Sequence, residues 1–139
     1  MIEINNIVRA DINKKIIKNV LTEIIDILKL KYDDISVVLV SSNQIRKINK
    51  KYRQIDKATD VLSFNYSSSR HRIDGEIVIC YKVAKEQAWK HDLAISDEIN
   101  RLLIHGLLHL AGYAHQNKRE TSKMGKLEFL IKQTLNSKS

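Results

Sequence analysis

His105-Gly106-Leu107-Leu108-His109-Leu110-Ala111-Gly112-Tyr113-Ala114-His115 gathers three of the chain's five histidines into one short stretch. Residues four apart share a helix face, so His105 and His109 can direct their imidazoles at one atom. Gly112, three residues after His109, suits the left-handed conformation that stops a helix. The chain can then turn back and carry His115 toward the first two rings. This is the ligand spacing of the metal-binding pattern H-E-x-x-H-x-x-G-x-x-H, with Gly106 standing where the glutamate would be. Three imidazole ligands and an open fourth position describe a catalytic zinc site, whereas a structural site is closed by four protein ligands. A pair of histidines four apart arises easily by chance. A third after a helix-stopping glycine does not, and it decides for a metal over a merely half-buried polar face. His71, in a Ser/Arg-rich loop, and His91, at a Lys-rich helix end, read as solvated.

The helix that carries the pair is legible on its N-terminal side. Ser96 is the expected cap, Asp97 and Glu98 fall in the first turn where acids are favoured, and Ile99, Leu102, Leu103, Gly106, Leu107 and Leu110 form a core stripe. His105 and His109 lie at the border of that stripe, so the core holds the helix while the ligands face a cleft. Further out, Met1 to Val8 reads as a strand. Asp11 or Asn13 can cap a helix whose stripe runs Ile16, Ile17, Val20, Leu21, Ile24, Ile25, Leu28. Ile35 to Val40 is a buried strand, and Ser42 or Asn43 can start a short helix carrying Ile45 and Ile48. Asp56 to Phe64 is a polar turn feeding a strand, Asn65 to Asp74 is a polar loop, and Gly75 to Tyr81 is a strand covered on both faces. Val83 to His91 reads as a helix carrying Ala84, Ala88 and Trp89. Met124, Leu127, Ile131 and Leu135 mark a last amphipathic helix. The expected architecture is one α/β (α+β) domain over residues 1–139, a mixed sheet of about four strands with helices packed on it, and a zinc site at the end of a central helix.

The 139 residues suffice for one domain with its own core, and 43% of them are apolar. No apolar run reaches the length of a bilayer span, so no membrane partner is expected. The start of the chain lacks a basic-then-apolar leader, and the single cysteine, Cys80, allows no internal disulfide, which together point to the reducing cytoplasm. Cys80 sits in an apolar run and reads as a small buried hydrophobe. A net charge of +8 favours polyanions, nucleic acid above all, although lysine-rich usage is also a habit of whole proteomes. The cluster Lys47, Lys50, Lys51 and Arg53 is either a solvated face or a phosphate-facing patch.

Two separated segments resemble one family. Lys51-Tyr52-Arg53-Gln54-Ile55-Asp56-Lys57-Ala58-Thr59-Asp60-Val61-Leu62-Ser63-Phe64 is similar to the N-x-x-Y-R-x-x-D-x-x-T-D-V-L-S-F segment of the YbeY family of rRNA maturation factors. His105 to His115 resembles that family's H-G-x-L-H-L-x-G-Y-D-H motif, and Gly75 to Cys80 its G-D-I-x-I-C strand. The resemblance implies one zinc ion held by His105, His109 and His115, with Arg53 as the motif arginine and Arg53 and His109 as catalytic residues. It implies a single-strand-specific endoribonuclease acting in rRNA maturation, notably at the 3′ end of small-subunit rRNA, and in ribosome quality control. Single-stranded rRNA, the small ribosomal subunit and a ribosomal protein are the partners that follow. Two positions depart from the pattern. Ala114 stands where the family has aspartate, and Glu76 replaces the aspartate after Gly75. Loss of a carboxylate that orients a metal ligand commonly costs about 10–100-fold.

The chemistry expected is metal-assisted phosphodiester cleavage, in which zinc polarises a phosphoryl oxygen or lowers the pKa of water toward about 7. Arg53 would neutralise charge on the phosphate, the lysine cluster would follow the RNA backbone, and Arg70 and Arg72 in the following loop would add to it. With no glutamate at position 106, the proton acceptor is left to water at the metal, to a substrate group such as the 2′-hydroxyl, or to a carboxylate such as Asp60, which serves equally well as a turn residue. Two other classes fit the same residues: a zinc hydrolase or peptidase acting on another bond, and a non-cleaving ribosome assembly factor whose zinc is structural.

Overall fold

A computed structural model describes residues 1–69, 72–113 and 117–137. Its elements, in chain order, are β1 (Ile2–Asn6), α1 (Lys14–Leu28), β2 (Lys31–Val40), α2 (Ser42–Arg53), β3 (Val61–Asn65), β4 (Arg72–Cys80), α3 (Tyr81–Lys90), α4 (Ile95–Leu110) and α5 (Lys118–Ser137). The four strands form one mixed sheet in the order β1-β2-β4-β3. β1, β2 and β4 run parallel, and β3 returns antiparallel along β4 with Phe64 opposite Glu76 and Ser63 opposite Ile77. The expected mixed sheet and central helix are both present.

β4 lies between β2 and β3 and is buried on both faces, which its uninterrupted Ile77-Val78-Ile79-Cys80 run reflects. Ile73, Ile77 and Ile79 point into the main core, shared with α1, α4 and α5. Val78 and Cys80 point to the opposite face, where Ile45 of α2 closes a smaller cluster. Cys80 is fully buried, as its apolar setting predicts. α4 is buried almost all round, from Glu98 to Leu110, and touches α1, α3, α5, β3 and β4.

Several boundaries differ from those expected, each for a local reason. Asn13 is the cap of α1, accepting from the Lys15 and Ile16 amides at 3.0 and 3.2 Å. α2 starts at Ser42, one of the two expected starts, and is capped by Ser41, which forms a reciprocal capping box with Gln44. Ser96 does not cap α4; the cap is Ala94, without a side-chain bond, and the first-turn acids Asp97 and Glu98 favour the helix dipole instead. β2 begins at Lys31 rather than Ile35, since its polar start pairs with β4 and the Asp33 carboxylate grips the Arg72 guanidinium. Arg72 is therefore a strand residue with its charge committed. Trp89 is 87% exposed, because α3 buries only the face that carries Ala84 and Ala88.

Two glycines set how closely α4 lies on the sheet. A Cβ at Gly106 would stand 2.9 Å from Cγ2 of the fully buried Ile77. A Cβ at Gly75 would collide with the Phe64 carbonyl and lie 2.7 Å from Leu110 Cδ2. Neither neighbour is the loose end of a flexible chain, so the close approach needs hydrogen at both positions. Gly106→Ala is expected to lower unfolding free energy by about 1–3 kcal/mol, the usual cost of overpacking a tight core. Urea denaturation of the two proteins checks this, and coincident midpoints would show the contact to be slack.

Candidate metal centre and groove

The last two turns of α4 place His105 and His109 side by side, half-buried at the edge of the core. Their Nε2 atoms face each other at 3.1 Å, with ring centroids 4.5 Å apart and planes at 65°. Two nitrogens bound to one tetrahedral zinc at roughly 2.0–2.1 Å stand about 3.3 Å apart, close to the 3.1 Å seen here. On the far side of the first ring, His105 Nδ1 lies 3.5 Å from Glu128 Oε1 of α5. A proton held on Nδ1 toward that carboxylate leaves the Nε2 lone pair directed at the shared point. The spacing of this pair therefore fits two ligands of one divalent ion, and among the described residues no third histidine, cysteine or carboxylate completes the set. Gly112 takes φ +97° just beyond the helix, so the expected glycine stop is present. The third expected ligand, His115, lies outside the described residues, as do Ala114, Arg70 and His71. His91 caps α3 and is exposed.

The histidine pair opens onto a groove formed by α2, β3 and the loop between them. One half, about 360 Å³, is lined by His105, His109, Asn49, Thr59 and Arg53. The other half, about 440 Å³, is lined by His109, Arg53, Tyr52, Phe64, Asn65 and Tyr66. Arg53, Ser63 and His109 belong to both, so the Arg53 and His109 side chains meet at the waist of the groove. Arg53 donates to the Ser63 carbonyl at 2.8 Å, and its guanidinium lies 5.4 Å from the Phe64 ring centroid. Among the described residues no carboxylate pairs with it. A guanidinium with fixed position and spare donors is suited to a phosphate.

The loop from Gln54 to Asp60 is tied down along its length. Arg46 donates twice to Asp56, at 2.7 and 3.3 Å, and this contact holds the Asp56 carboxyl below its usual range and the Arg46 guanidinium above its own. Asn49, buried in α2, donates to the Lys57 carbonyl at 2.8 Å. Asp60 accepts from the Val61 amide at 2.8 Å and from Arg101 at 3.3 Å. Arg101 in turn grips the buried Glu98 with two bonds of 2.7 and 2.8 Å, and this pairing pushes its pKa further up. The Gln87 amide, turned so that its nitrogen donates, bridges Glu98 and Asp60. Asp60 is thus a structural tie between β3, α3 and α4, and its turn role outweighs that of a proton acceptor.

Glu128, Asn49 and the Glu98–Arg101 pair escaped sequence reading. Glu128 occupies a polar position of an ordinary amphipathic helix, with no local signal that it reaches a histidine on another element. The only available hint was that a buried acid such as Glu98 has a possible arginine partner three residues on. Gly106 also bears on the reaction class. The glutamate a peptidase of this ligand spacing would use has no room at position 106, since even a methyl group there meets Ile77.

Comparison with known proteins matches residues 3–136 to the family described as Endoribonuclease YbeY. A protein of that name from Sulfurihydrogenibium sp. (strain YO3AOP1) is 39% identical over 117 residues, covering 82% of this chain and 77% of the relative. Another, from Ruthia magnifica subsp. Calyptogena magnifica, is 34% identical over 136 residues, covering 94% and 93%. The solution structure of TM1509 from Thermotoga maritima superposes with a TM-score of 0.64 at 28% identity, covering 99% of this chain and 93% of the other.

The Glu128 contact yields a direct test. Glu128→Ala is expected to weaken zinc binding by about 10–100-fold, with Glu128→Gln intermediate. Competition against a chromophoric chelator measures this while circular dichroism confirms the fold. Unchanged affinity in the alanine variant would mean that the carboxylate does not orient His105.

Proposed function

The chain belongs to the YbeY family, and from that premise we propose that it is a zinc-dependent, single-strand-specific endoribonuclease of rRNA maturation. The proposed domain is the whole of residues 1–139, and the proposed setting is the cytoplasm. Among the described residues no helix is long and apolar enough to cross a membrane. The observation that carries the reading is the convergence of His105 and His109 beside Arg53 at the waist of one groove. His105, His109 and, by the motif, His115 would hold one zinc ion. When bound there, the ion supplies Lewis-acid chemistry at a phosphoryl oxygen or at water.

The protein's own contribution is positioning and charge. Arg53 is held by the Ser63 carbonyl and by the Phe64 ring, so it meets a phosphate without first being ordered. Charge building on the non-bridging oxygens is matched by a planar fork of donors. Lys50 and Lys51, exposed in the last turn of α2, continue the positive face away from the groove. Glu128, with Oε1 3.5 Å from His105 Nδ1, would orient that ring. The ribosomal small subunit, with cleavage at the 3′ end of its rRNA, and a ribosomal protein are proposed as the setting of the reaction.

A labelled single-stranded fragment spanning the 3′ end of small-subunit rRNA tests this. The wild-type protein with zinc should cut it. Arg53→Ala and His109→Ala should each lose at least about a hundredfold in rate, the scale of removing one preorganised charge-stabilising group. Arg53→Lys should recover little, because a point charge does not reproduce the fork. Equal cleavage by all four proteins would assign the activity to a contaminant.

A further inference from the structure

The half of the groove beyond Arg53 is built differently from the half that holds the two histidines. Its walls are aromatic. Tyr52 and Tyr66 are 56% and 64% exposed, and both line the cavity that His109 and Arg53 close at one end. Phe64 forms part of the wall, packed edge-on against Tyr52 at a centroid distance of 5.4 Å and covered by Arg53. Lys51 Nζ lies 5.2 Å from the Tyr52 ring centroid, so cations brace this aromatic layer at two points. Asn65 contributes an amide at the rim, with its oxygen accepting from the Ser67 amide at 2.9 Å. That bond uses the amide oxygen and leaves the nitrogen available as a donor. The Tyr66 phenol is held above its ordinary pKa, first by partial burial and then by the charges of Glu76, Tyr52 and Asp74.

Two exposed tyrosines flanking a groove next to a phosphate-binding arginine carry a cost in exposed apolar surface that the core does not require, since neither ring is needed to fill it. Flat aromatic faces beside a cation are what a stacked nucleobase with its phosphate requires. We propose that this half of the groove is a nucleobase subsite, in which the base of the nucleotide next to the cleaved phosphate stacks on Tyr66 against the Tyr52–Phe64 wall and meets the Asn65 amide with its edge. The proposal rests on the endoribonuclease reading and deepens it. A base inside an A-form duplex has both faces covered, so a subsite that must receive a face admits only unpaired RNA. Selection for single strands then arises from Tyr66 and Tyr52, and cleavage from the other half.

Equilibrium binding of a fluorescent single-stranded 2′-O-methyl oligonucleotide tests the subsite, alongside the same strand with one abasic position and the cleavage assay on unmodified RNA. Tyr66→Ala should weaken binding of the intact strand by about five- to hundredfold, the range found when one stacking aromatic is removed. Tyr66→Phe, which keeps the ring, should bind as wild type. The salt dependence should be unchanged, because no phosphate contact is lost. Placing the abasic position in the subsite should abolish the difference between Tyr66→Ala and wild type. Cleavage by Tyr66→Ala should shift toward equal rates on single-stranded and duplex RNA. If Tyr66→Ala binds the intact strand as wild type does, the subsite is overturned while the nuclease reading stands. An equal loss on every strand, abasic ones included, would also overturn it, by showing a structural role for the ring. A wild-type protein that neither binds nor cuts single-stranded RNA would remove the nuclease reading itself, and the subsite with it.

Discussion

The absence of a side chain at Gly106 lets the central helix rest on Ile77 of the middle strand, and the rest of the site is built on that contact. With hydrogen at this position α4 approaches the sheet closely enough for Ile77 to fill the space a Cβ would take. Gly75 makes the matching approach from the strand side, against Leu110 and the Phe64 carbonyl. The two contacts fix the height and rotation of the helix above β4 and β3. His105 and His109, flanking Gly106 on the helix surface, are thereby set over the edge of β3, within reach of the groove that Arg53 and Ser63 line. The same contact excludes a carboxylate from the position where a peptidase would place one. A single packing constraint thus both orients the histidine pair and narrows the chemistry.

Charge is divided between struts and function. Arg46, Arg72 and Arg101 are each committed to carboxylates, Asp56, Asp33 and the Glu98–Asp60 pair. The first two pairs are exposed and worth little individually in stability. Glu98 is different, because it is buried and its charge is tolerable only while Arg101 satisfies it. Arg53 joins no such pair among the described residues. The excess of positive charge that composition reveals is therefore less useful as a whole-molecule quantity than as a question of which cations remain uncommitted near the groove. Arg53, Lys50 and Lys51, clustered at the C-terminal turn of α2, are the answer, and that position also suits the helix dipole.

What could be read from the sequence was what repeats along it or recurs at fixed spacing. The stripe of α1, the two-faced strand Ile77–Cys80 and the histidine pair on α4 all follow from the period of a helix or strand, and the structure contains them, except that Ile16, expected in the stripe, is 59% exposed at the first turn of α1. The motif arginine was legible from resemblance, and its setting was not. Partners distant in sequence were invisible: Glu128 beside His105, Asn49 beneath the Lys57 carbonyl, Asp33 claiming Arg72. The cap of α4 was misjudged by two residues where tertiary contacts set the start, with Ala94 ahead of Ser96. His115 remains an expectation from spacing, beyond the described residues.

The loop between α2 and β3 explains how a surface groove can be preorganised. It carries few apolar side chains of its own, yet Arg46–Asp56, Asn49–Lys57 and Asp60 with Val61 and Arg101 tie it at three points, each to a different neighbouring element or to its own flank. These ties sit within one short span, so the freedom left to the chain between them is small. Tyr52 and Arg53 precede the loop and Ser63 and Phe64 follow it, and the Arg53–Ser63 and Arg53–Phe64 contacts close it across its mouth. A groove held in this way meets its ligand without an ordering cost at the moment of binding. On the proposed reading, binding energy from bases and phosphates on either side of the waist would be available to position the scissile bond over the histidines, which is how a small domain with one arginine at its centre would act on a long, flexible substrate.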